Sequence, residues 1–162
     1  MFGLKNKIDS KSKIEKGAVI GNNNIISENV IIRKNVKIGD NNFIGPNSVF
    51  ENKIIIGNNN NFYGFLSLGT LGEMGTKGDN YPNNAEIIIG NDNIFREFIT
   101  VNSPVRKKRT LISNNCYFMA RTHIPHDVII GDYVVMATNS IIGGGCFIGN
   151  YAYIGMNAQI HQ

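Results

Sequence analysis

The segment "ARTHIPHDVIIGD", residues 120–132, holds the side chains of this sequence that are best suited to chemistry. His123 and His126 stand three residues apart, and Asp127 follows directly. An imidazole exchanges a proton close to neutral pH, and a carboxylate beside it can hold the ring in one orientation. The segment therefore predicts a proton-transfer site, provided that these side chains do not simply fill space inside the fold.

A run of three glycines, residues 143–145, separates this segment from the third histidine, His161, which is followed by Gln162. Glycines let a substrate approach the backbone closely, and their N–H groups can bind a developing oxyanion. Whether the run lies near His126 depends on the repeat that organises the chain.

That repeat has a period of six residues. Large apolar residues, here called anchors, recur at every sixth position, and the register breaks only across residues 70–86 and 103–109. In the last uninterrupted run a smaller residue follows each anchor by four positions, from Cys116 to Ala158. The anchors are Ile8, Ile14, Ile20, Ile26, Ile32, Ile38, Ile44, Phe50, Ile56, Phe62, Leu68, Ile89, Phe95, Val101, Ile112, Phe118, Ile124, Ile130, Met136, Ile142, Ile148, Ile154 and Ile160.

A period of six fits neither an α-helix nor a hairpin meander. It fits a short strand followed by a corner, with the anchor and the smaller residue both pointing inward. Three such sides close a triangular coil of eighteen residues, and coils stack about 4.8 Å apart. We therefore expect residues 1–162 to form a single all-β domain, a parallel β-helix with inserted loops at about 70–86 and 103–109.

The register also places the histidines. Anchors eighteen residues apart share a side, so His126, Gly144 and Gln162 form one column, each two residues past its anchor. His161 belongs to the same side about 10 Å further along, and His123 is expected at the corner just before it. Because the inward positions are already filled, the histidines should lie outside the core. Converging titratable and donor groups there indicate a functional site.

The bulk composition narrows the class of protein. Apolar residues make up 42% and charged residues 17% of the 162 residues, which does not fit a disordered tail. No apolar segment has the length of a signal-peptide core or of a membrane span, so we expect a cytoplasmic protein without a membrane span. The net charge of +4 favours acidic partners.

Two segments resemble the bacterial acyl-[acyl-carrier-protein]–UDP-N-acetylglucosamine O-acyltransferases, which make the first committed intermediate of lipid A in lipopolysaccharide. They read "RTHIPHDVIIGDYVVMATNSIIGGGCFIGNYAYIGMNAQIHQ" (121–162) and "NNFYGFLSLGTLGEMGTKGDNYPNNAEIIIGNDNIFREFITVN" (60–102). Residues 8–59 share only the general hexapeptide pattern of many transferases.

The resemblance implies a left-handed coil and a homotrimer with active sites in the clefts between adjacent β-helices. It implies transfer of a 3-hydroxyacyl group from an acyl carrier protein thioester to the 3-hydroxyl, or a 3-amine, of UDP-N-acetylglucosamine or a related nucleotide sugar. No cofactor and no metal ion is implied. The family also continues into a helical C-terminal region, which we expect this domain to lack.

Catalytic residues follow from the same resemblance. The family's general base is the second histidine of its H-x-x-H-D segment, here His126. Gly144 matches the glycine whose N–H faces the oxyanion. Asp127 is expected to support His126 only if the backbone turns between them, because neighbours on a strand point in opposite directions.

Substrate contacts are also implied by position. A loop lysine of the family falls near Lys77 on a loose alignment, and the family has histidines where this chain carries Asn102 and Gly145. The residues expected to contact substrate are His123, His161, Gln162, Lys77, Asn102 and Gly145.

The run "VRKKR" (105–109) supplies Arg106, Lys107, Lys108 and Arg109. Such a run either forms a solvated loop or docks an anionic donor, either acyl carrier protein or the phosphates of coenzyme A. Nucleic acid is not expected, since no aromatic stacking surface accompanies the run.

The two cysteines, Cys116 and Cys146, are five hexads apart and hence on different sides of the triangle. A disulfide between them is therefore not expected, and both are interpreted as core thiols of a reducing compartment.

Three other functions fit the same fold. One is a sugar O- or N-acetyltransferase that uses acetyl-coenzyme A. The second is a trimeric zinc carbonic anhydrase with three histidine ligands. It is disfavoured because His161 lies too far from His123 and His126 for all three to bind one ion at about 2.1 Å within a chain. The third is a purely structural β-helix, which no regular outward Thr or aromatic array supports.

Overall fold

The computed structural model describes residues 2–73 and 82–162. In these ranges the chain forms very short parallel strands joined by corners, with no helix and hence none that could span a membrane. Three successive strands complete one triangular turn, and the turns stack into three parallel sheets. The chain is a left-handed parallel β-helix, which confirms the parallel β-helix predicted from the repeat and the left-handed coil implied by the resemblance.

Each sheet forms one side of the prism, in the order of the stacked coils. Sheet 1 contains β1 (Lys7–Ile8), β4 (Ile25–Ile26), β7 (Phe43–Ile44), β10 (Asn61–Phe62), β13 (Ile94–Phe95), β16 (Tyr117–Phe118), β19 (Val135–Met136) and β22 (Tyr153–Ile154). Sheet 2 contains β2 (Lys13–Ile14), β5 (Ile31–Ile32), β8 (Val49–Phe50), β11 (Ser67–Thr70), β14 (Thr100–Asn102), β17 (His123–Ile124), β20 (Ile141–Ile142) and β23 (Gln159–Ile160). Sheet 3 contains β3 (Val19–Ile20), β6 (Lys37–Ile38), β9 (Ile54–Ile56), β12 (Glu86–Ile89), β15 (Arg109–Ile112), β18 (Ile129–Ile130) and β21 (Phe147–Ile148).

The anchors form the core. Every anchor lies in a strand, and all anchors from Ile20 to Ile154 are buried. Burying one such side chain contributes about 1.5–3 kcal/mol, so the regular spacing accounts for most of the driving force for coiling. Only the anchors of the terminal coils, such as Ile8 and Ile160, are exposed on one side.

The corners depend on a left-handed backbone three residues after most anchors. Asn23 and Asn41 have φ values of 56° and 59° at this position. Asparagine is common there because its short polar side chain tolerates this conformation. The same position is occupied by Asp127 (φ 63°) and by Gly145 (φ 77°) at the corner after sheet 2.

A buried ladder of asparagines accepts hydrogen bonds from backbone N–H groups inside the corner between sheets 3 and 1. The backbone N–H of Asn42 donates to Oδ1 of Asn24 at 2.8 Å, and the N–H of Asn60 donates to Oδ1 of Asn42 at 2.9 Å. All three residues are at most 1% exposed. The ladder therefore links consecutive coils without leaving these backbone N–H groups unpaired.

Both interruptions of the repeat leave the prism at the corner between sheets 2 and 3. Residues 71–85 connect β11 to β12, and residues 103–108 connect β14 to β15, one coil further along. Because β17 is the next strand of sheet 2, the two insertions precede the corner that carries His126.

The two cysteines are buried and unpaired, as their positions on different sides require. Cys116 follows a strand of sheet 3, and Cys146 follows a strand of sheet 2. Burial raises the pKa of the Cys116 thiol to about 11, so this thiol stays protonated near neutral pH.

Candidate active site

Most of the predicted site residues gather at the corner between sheets 2 and 3. Strand β17 ends just before His126, β20 just before the glycine run, and β23 just before Gln162. Strand β20 pairs with β17 on one side and with β23 on the other, so the three segments stack. The column inferred from the register is therefore present.

A cavity of about 400 Å³ opens at this corner. It is lined by two cationic residues of the second insertion, by the histidine–aspartate pair, by two of the three glycines and by Gln162. The lining residues are Arg106, Lys107, His126, Asp127, Gly144, Gly145 and Gln162. Residues from four separate segments of the chain thus come together at one imidazole.

His126 is held by the residue that follows it. Its Nδ1 lies 2.9 Å from Oδ2 of Asp127, and its side chain is only 14% exposed. The left-handed backbone at Asp127 turns the carboxylate back towards the ring, which an extended strand would not allow. If Nδ1 carries the proton and donates to Asp127, Nε2 is left as an acceptor.

Asp127 is itself fixed by the second insertion. Its carboxylate accepts backbone N–H groups from Val105 at 3.1 Å, Arg106 at 3.0 Å and Lys107 at 2.8 Å. Burial opposes ionisation, but the hydrogen bonds from His126 and these amides outweigh it, so the pKa of Asp127 lies below its usual value. An ionised, immobile carboxylate therefore stands behind the imidazole.

The backbone of Gly144 lies against the far edge of the ring. A Cβ at Gly144 would stand 2.5 Å from Cε1 and 2.6 Å from Nε2 of His126, so no side chain fits there. The N–H of the adjacent Gly145 donates to the carbonyl of His126 at 3.0 Å. The N–H of Gly144 has no hydrogen-bond partner in residues 2–73 and 82–162, so it is available to a ligand at this corner.

His123 is the first residue of β17 rather than part of the corner before it, which corrects the expected position. It is half-buried, and its Nδ1 lies 2.6 Å from the hydroxyl oxygen of Thr100. Burial lowers the pKa of His123, with Glu73 opposing and His126 adding to the effect. His123 therefore lies near the cavity as a neutral ring but does not line it.

Asn102 lies beneath the insertions. It is 3% exposed, and its Nδ2 donates to the hydroxyl of Thr70 at 3.0 Å, while its Oδ1 has no partner among the described residues. This amide ties the ends of β11 and β14 together rather than lining the cavity. Lys77, the other substrate residue expected in an insertion, falls outside the described residues.

The remaining predicted residues lie around the cavity without lining it. His161 is exposed, contacts the carbonyl of Gln162 through Nδ1 at 3.1 Å, and borders a separate depression along β20 and β23. Lys108 and Arg109 are exposed, and Arg109 forms an ion pair with Glu86 at 3.5 Å. The basic run thus divides into an inner pair, Arg106 and Lys107, and an outer pair.

Three contacts around the base are not apparent from the sequence. The hydroxyl of Thr110 accepts the backbone N–H of Asp127 at 3.0 Å, Val105 supplies an amide to its carboxylate, and Gly72 packs against His126. Gly72 and Val105 belong to insertions, where the sixfold register stops. Thr110 is an inward residue of β15, two positions before the anchor Ile112, so only its burial was predictable.

The three histidines do not converge. His126 lines the cavity, His123 lies on β17, and His161 borders the separate depression. No group of three His, Cys, Asp or Glu side chains among the described residues has a geometry that can hold a metal ion.

Comparisons with known proteins show what this chain is similar to. The model of the bacterial transferase hexapeptide (six repeats) matches residues 35–65 and 109–144. An acyl-[acyl-carrier-protein]–UDP-N-acetylglucosamine O-acyltransferase of Campylobacter concisus is 44% identical over 69 residues, covering 41% of this chain and 26% of that protein. The protein of the same name from Helicobacter pylori is 32% identical over 107 residues, covering 64% and 38% respectively.

The fold agrees as well. The crystal structure of a UDP-N-acetylglucosamine acyltransferase from Bacteroides fragilis matches with a TM-score of 0.76 at 28% identity, covering 94% of this chain and 66% of that one. The resemblance inferred from the sequence is thus confirmed in both sequence and fold. The matches span only 26% and 38% of the two curated relatives described above.

Proposed function

We propose that this chain, which resembles the UDP-N-acetylglucosamine O-acyltransferases in sequence and in fold, is an acyltransferase acting on a nucleotide sugar. It transfers a 3-hydroxyacyl group from an acyl carrier protein thioester to the 3-hydroxyl, or a 3-amine, of UDP-N-acetylglucosamine or a related sugar. The observation that carries the proposal is one arrangement: an imidazole held by an ionised carboxylate, with a glycine packed against its other nitrogen whose backbone N–H has no partner among the described residues.

His126 acts as the general base. Its Nε2 takes the proton of the sugar hydroxyl while that oxygen attacks the thioester carbonyl carbon, and the carbonyl electrons move onto oxygen. When the tetrahedral intermediate collapses, the carbon–sulfur bond breaks and the imidazolium returns the proton to the departing thiolate. The products are the acylated sugar and the free thiol of the donor, and the enzyme is regenerated.

Asp127 and Gly144 stabilise the charges that form. The carboxylate of Asp127 accepts from Nδ1 throughout, so it favours the imidazolium that exists while the proton is held. The N–H of Gly144, which has no partner among the described residues, donates to the oxyanion that develops on the thioester oxygen. Both groups are held in place before substrate arrives, Asp127 by three amides and Gly144 by its contact with the ring.

The acceptor occupies the cavity. In a nucleotide sugar the diphosphate is attached only a few bonds from the 3-hydroxyl. Cations that share the cavity with the base are therefore well placed to bind this diphosphate. Arg106 and Lys107 have no ion-pair partner in residues 2–73 and 82–162. The backbone amides that bind Asp127 fix their position. Gln162 and Gly145 line the same cavity, and we assign them to the sugar nucleotide.

The donor approaches over the basic run. Acyl carrier protein and coenzyme A are both anionic, and the four cations from Arg106 to Arg109 form a complementary surface next to the base. We assign donor docking to the whole run, with Lys108 and Arg109 at its outer end. His123, His161 and Lys77 keep their proposed role in substrate binding, whereas the buried Asn102 serves the site by tying the ends of β11 and β14 together.

Two further aspects belong to the proposal. The outer face of sheet 3 carries apolar residues in its last four strands, Ile88, Leu111, Ile129 and the 73% exposed Phe147, which supports burial against a second copy in a homotrimer. The two unpaired buried cysteines support a reducing compartment and hence a cytoplasmic location.

One activity assay distinguishes the two candidate acyl donors. The purified chain is incubated with UDP-N-acetylglucosamine and either 3-hydroxyacyl-acyl carrier protein or acetyl-coenzyme A, and thiol release and the mass of the sugar product are followed. We expect hydroxyacyl transfer from the carrier protein. Acetyl transfer from coenzyme A alone would identify the acetyltransferase alternative. If neither donor released its thiol, acyl transfer to this sugar would be rejected.

A further inference from the structure

Gly72 lies at the start of the first insertion and is buried against His126. A Cβ built on Gly72 would stand 2.9 Å from Cβ and 3.1 Å from Cδ2 of His126. It would also stand 2.4 Å from Cγ2 of Val105 in the second insertion. The space at Gly72 is therefore filled by the base and by the insertion that holds Asp127.

The two glycines contact different edges of the imidazole. Gly72 is close to the Cβ–Cδ2 edge, whereas Gly144 is close to Cε1 and Nε2. Together with the hydrogen bond from Nδ1 to Asp127, these contacts fix the ring on three sides. Rotation about its side-chain bonds would drive it into one of the two backbones.

We propose that Gly72 is a positioning residue for acyl transfer: its missing side chain lets the first insertion pack against His126 and fix the rotamer that joins Asp127 to Nδ1. This inference rests on the proposed function of His126. Residues of the first insertion are far from β17 in sequence, so the contact arises only because both insertions leave one corner of the prism. Gly72 acts through His126 and does not touch the reacting atoms.

The variant Gly72→Ala tests the proposal against Gly149→Ala as a matched control. A Cβ at Gly149 meets no atom within 4 Å, and Gly149 does not have a left-handed backbone, so this control adds the same methyl group without a clash. We expect Gly72→Ala to lower kcat by roughly 10–100-fold at an unchanged acceptor KM, because a small displacement of a base has such an effect. Gly149→Ala should behave as the wild type.

A second readout does not depend on turnover. The chain has three histidines, so the imidazole nitrogen signals of His126 in an NMR spectrum can be assigned by comparison with His126→Gln. The wild type should show the Nδ1-protonated form, with a downfield Nδ1 proton that is donated in a hydrogen bond to Asp127. Gly72→Ala should lose this signature, and the control should keep it. If the wild type transferred no acyl group, this arm would still decide whether Gly72 positions the ring.

Val105→Ala keeps the test valid if Gly72→Ala fails to fold. It removes the side-chain atom at 2.4 Å, so Gly72→Ala in that background retains only the contacts with His126. We expect the double variant to have a lower kcat than Val105→Ala alone. Equal kcat values in that pair, or an unchanged His126 signature in a folded Gly72→Ala variant, would overturn the proposal.

Discussion

Nδ1 of His126 lies 2.9 Å from Oδ2 of Asp127, the residue that follows it in sequence. Adjacent side chains on a strand point to opposite faces, so this contact requires a turn between them. The turn is the ordinary corner of the repeat, since Asp127 stands three residues after the anchor Ile124 with φ at 63°. A corner position that asparagine occupies elsewhere thus orients a general base.

Asp127→Asn should reduce turnover. The amide can still accept hydrogen bonds through Oδ1, but it no longer carries the charge that stabilises the imidazolium and the correct tautomer of His126. We expect kcat to fall by roughly 10² or more, measured as thiol release from the acyl donor. Asp92→Asn is the matched control, because Asp92 occupies an equivalent left-handed corner position and is exposed. A loss of the same size in the control would show that the corner, and not the charge beside His126, matters.

Acid should weaken the fold partly through the same carboxylate. The pKa of Asp127 in the fold lies below its usual value of about 3.9. The unfolded chain therefore takes up the proton first as the pH falls. The stabilisation is present above about pH 4 and is lost as the pH drops through the folded-state pKa.

Denaturant unfolding measured from pH 7 down to pH 2.5 tests this prediction. At pH 7 Asp127→Asn should cost about 1–3 kcal/mol, because charge-assisted hydrogen bonds to three amides are weakened. The difference from the wild type should shrink below about pH 4. A difference that stayed constant over the whole range would mean that ionised Asp127 does not stabilise the fold.

The asparagine ladder predicts that a buried asparagine of the ladder contributes more to stability than an outward one. Oδ1 of Asn42 accepts the backbone N–H of Asn60 at 2.9 Å, so Asn42→Leu leaves this buried donor unpaired. We expect the free energy of unfolding to fall by about 2–3 kcal/mol. Asn61→Leu is the control, because Asn61 is the outward residue of β10 and should change stability by less than about 0.5 kcal/mol. Equal losses in chemical denaturation would refute a special role for the ladder.

The division of the basic run predicts two different kinetic effects. Replacing Arg106 and Lys107 by Gln removes the cations that line the cavity, so we expect the KM of the nucleotide sugar to rise. Replacing Lys108 and Arg109 by Gln removes the same charge outside the cavity, and here the KM of the donor should rise and its salt dependence weaken. Identical effects of the two pairs on both substrates would show that the run acts only through its overall charge.

Much of the fold could be predicted from the sequence because each coil repeats one local rule. An anchor such as Ile124 must face inward, and its position fixes the column of His126, Gly144 and Gln162. The turn at Asp127 was also available from the register, since asparagine is common three residues after an anchor.

The contacts made by the insertions could not be predicted in this way. The packing of Gly72 on His126, and the three amides on Asp127, depend on how two irregular segments pack across coils. No apolar period sets that packing. The same limit applies to the basic run, where the sequence shows four adjacent cations but not which pair enters the cavity.

The most direct test of the account is turnover of His126→Ala beside the wild type, with hydroxyacyl-acyl carrier protein and UDP-N-acetylglucosamine at saturating concentrations. Circular dichroism and the thermal midpoint should match, since the His126 side chain lies outside the core formed by the anchors. Turnover should fall by roughly 10² or more, because the reaction loses its general base. A folded His126→Ala variant with near-normal turnover would contradict the proposed mechanism.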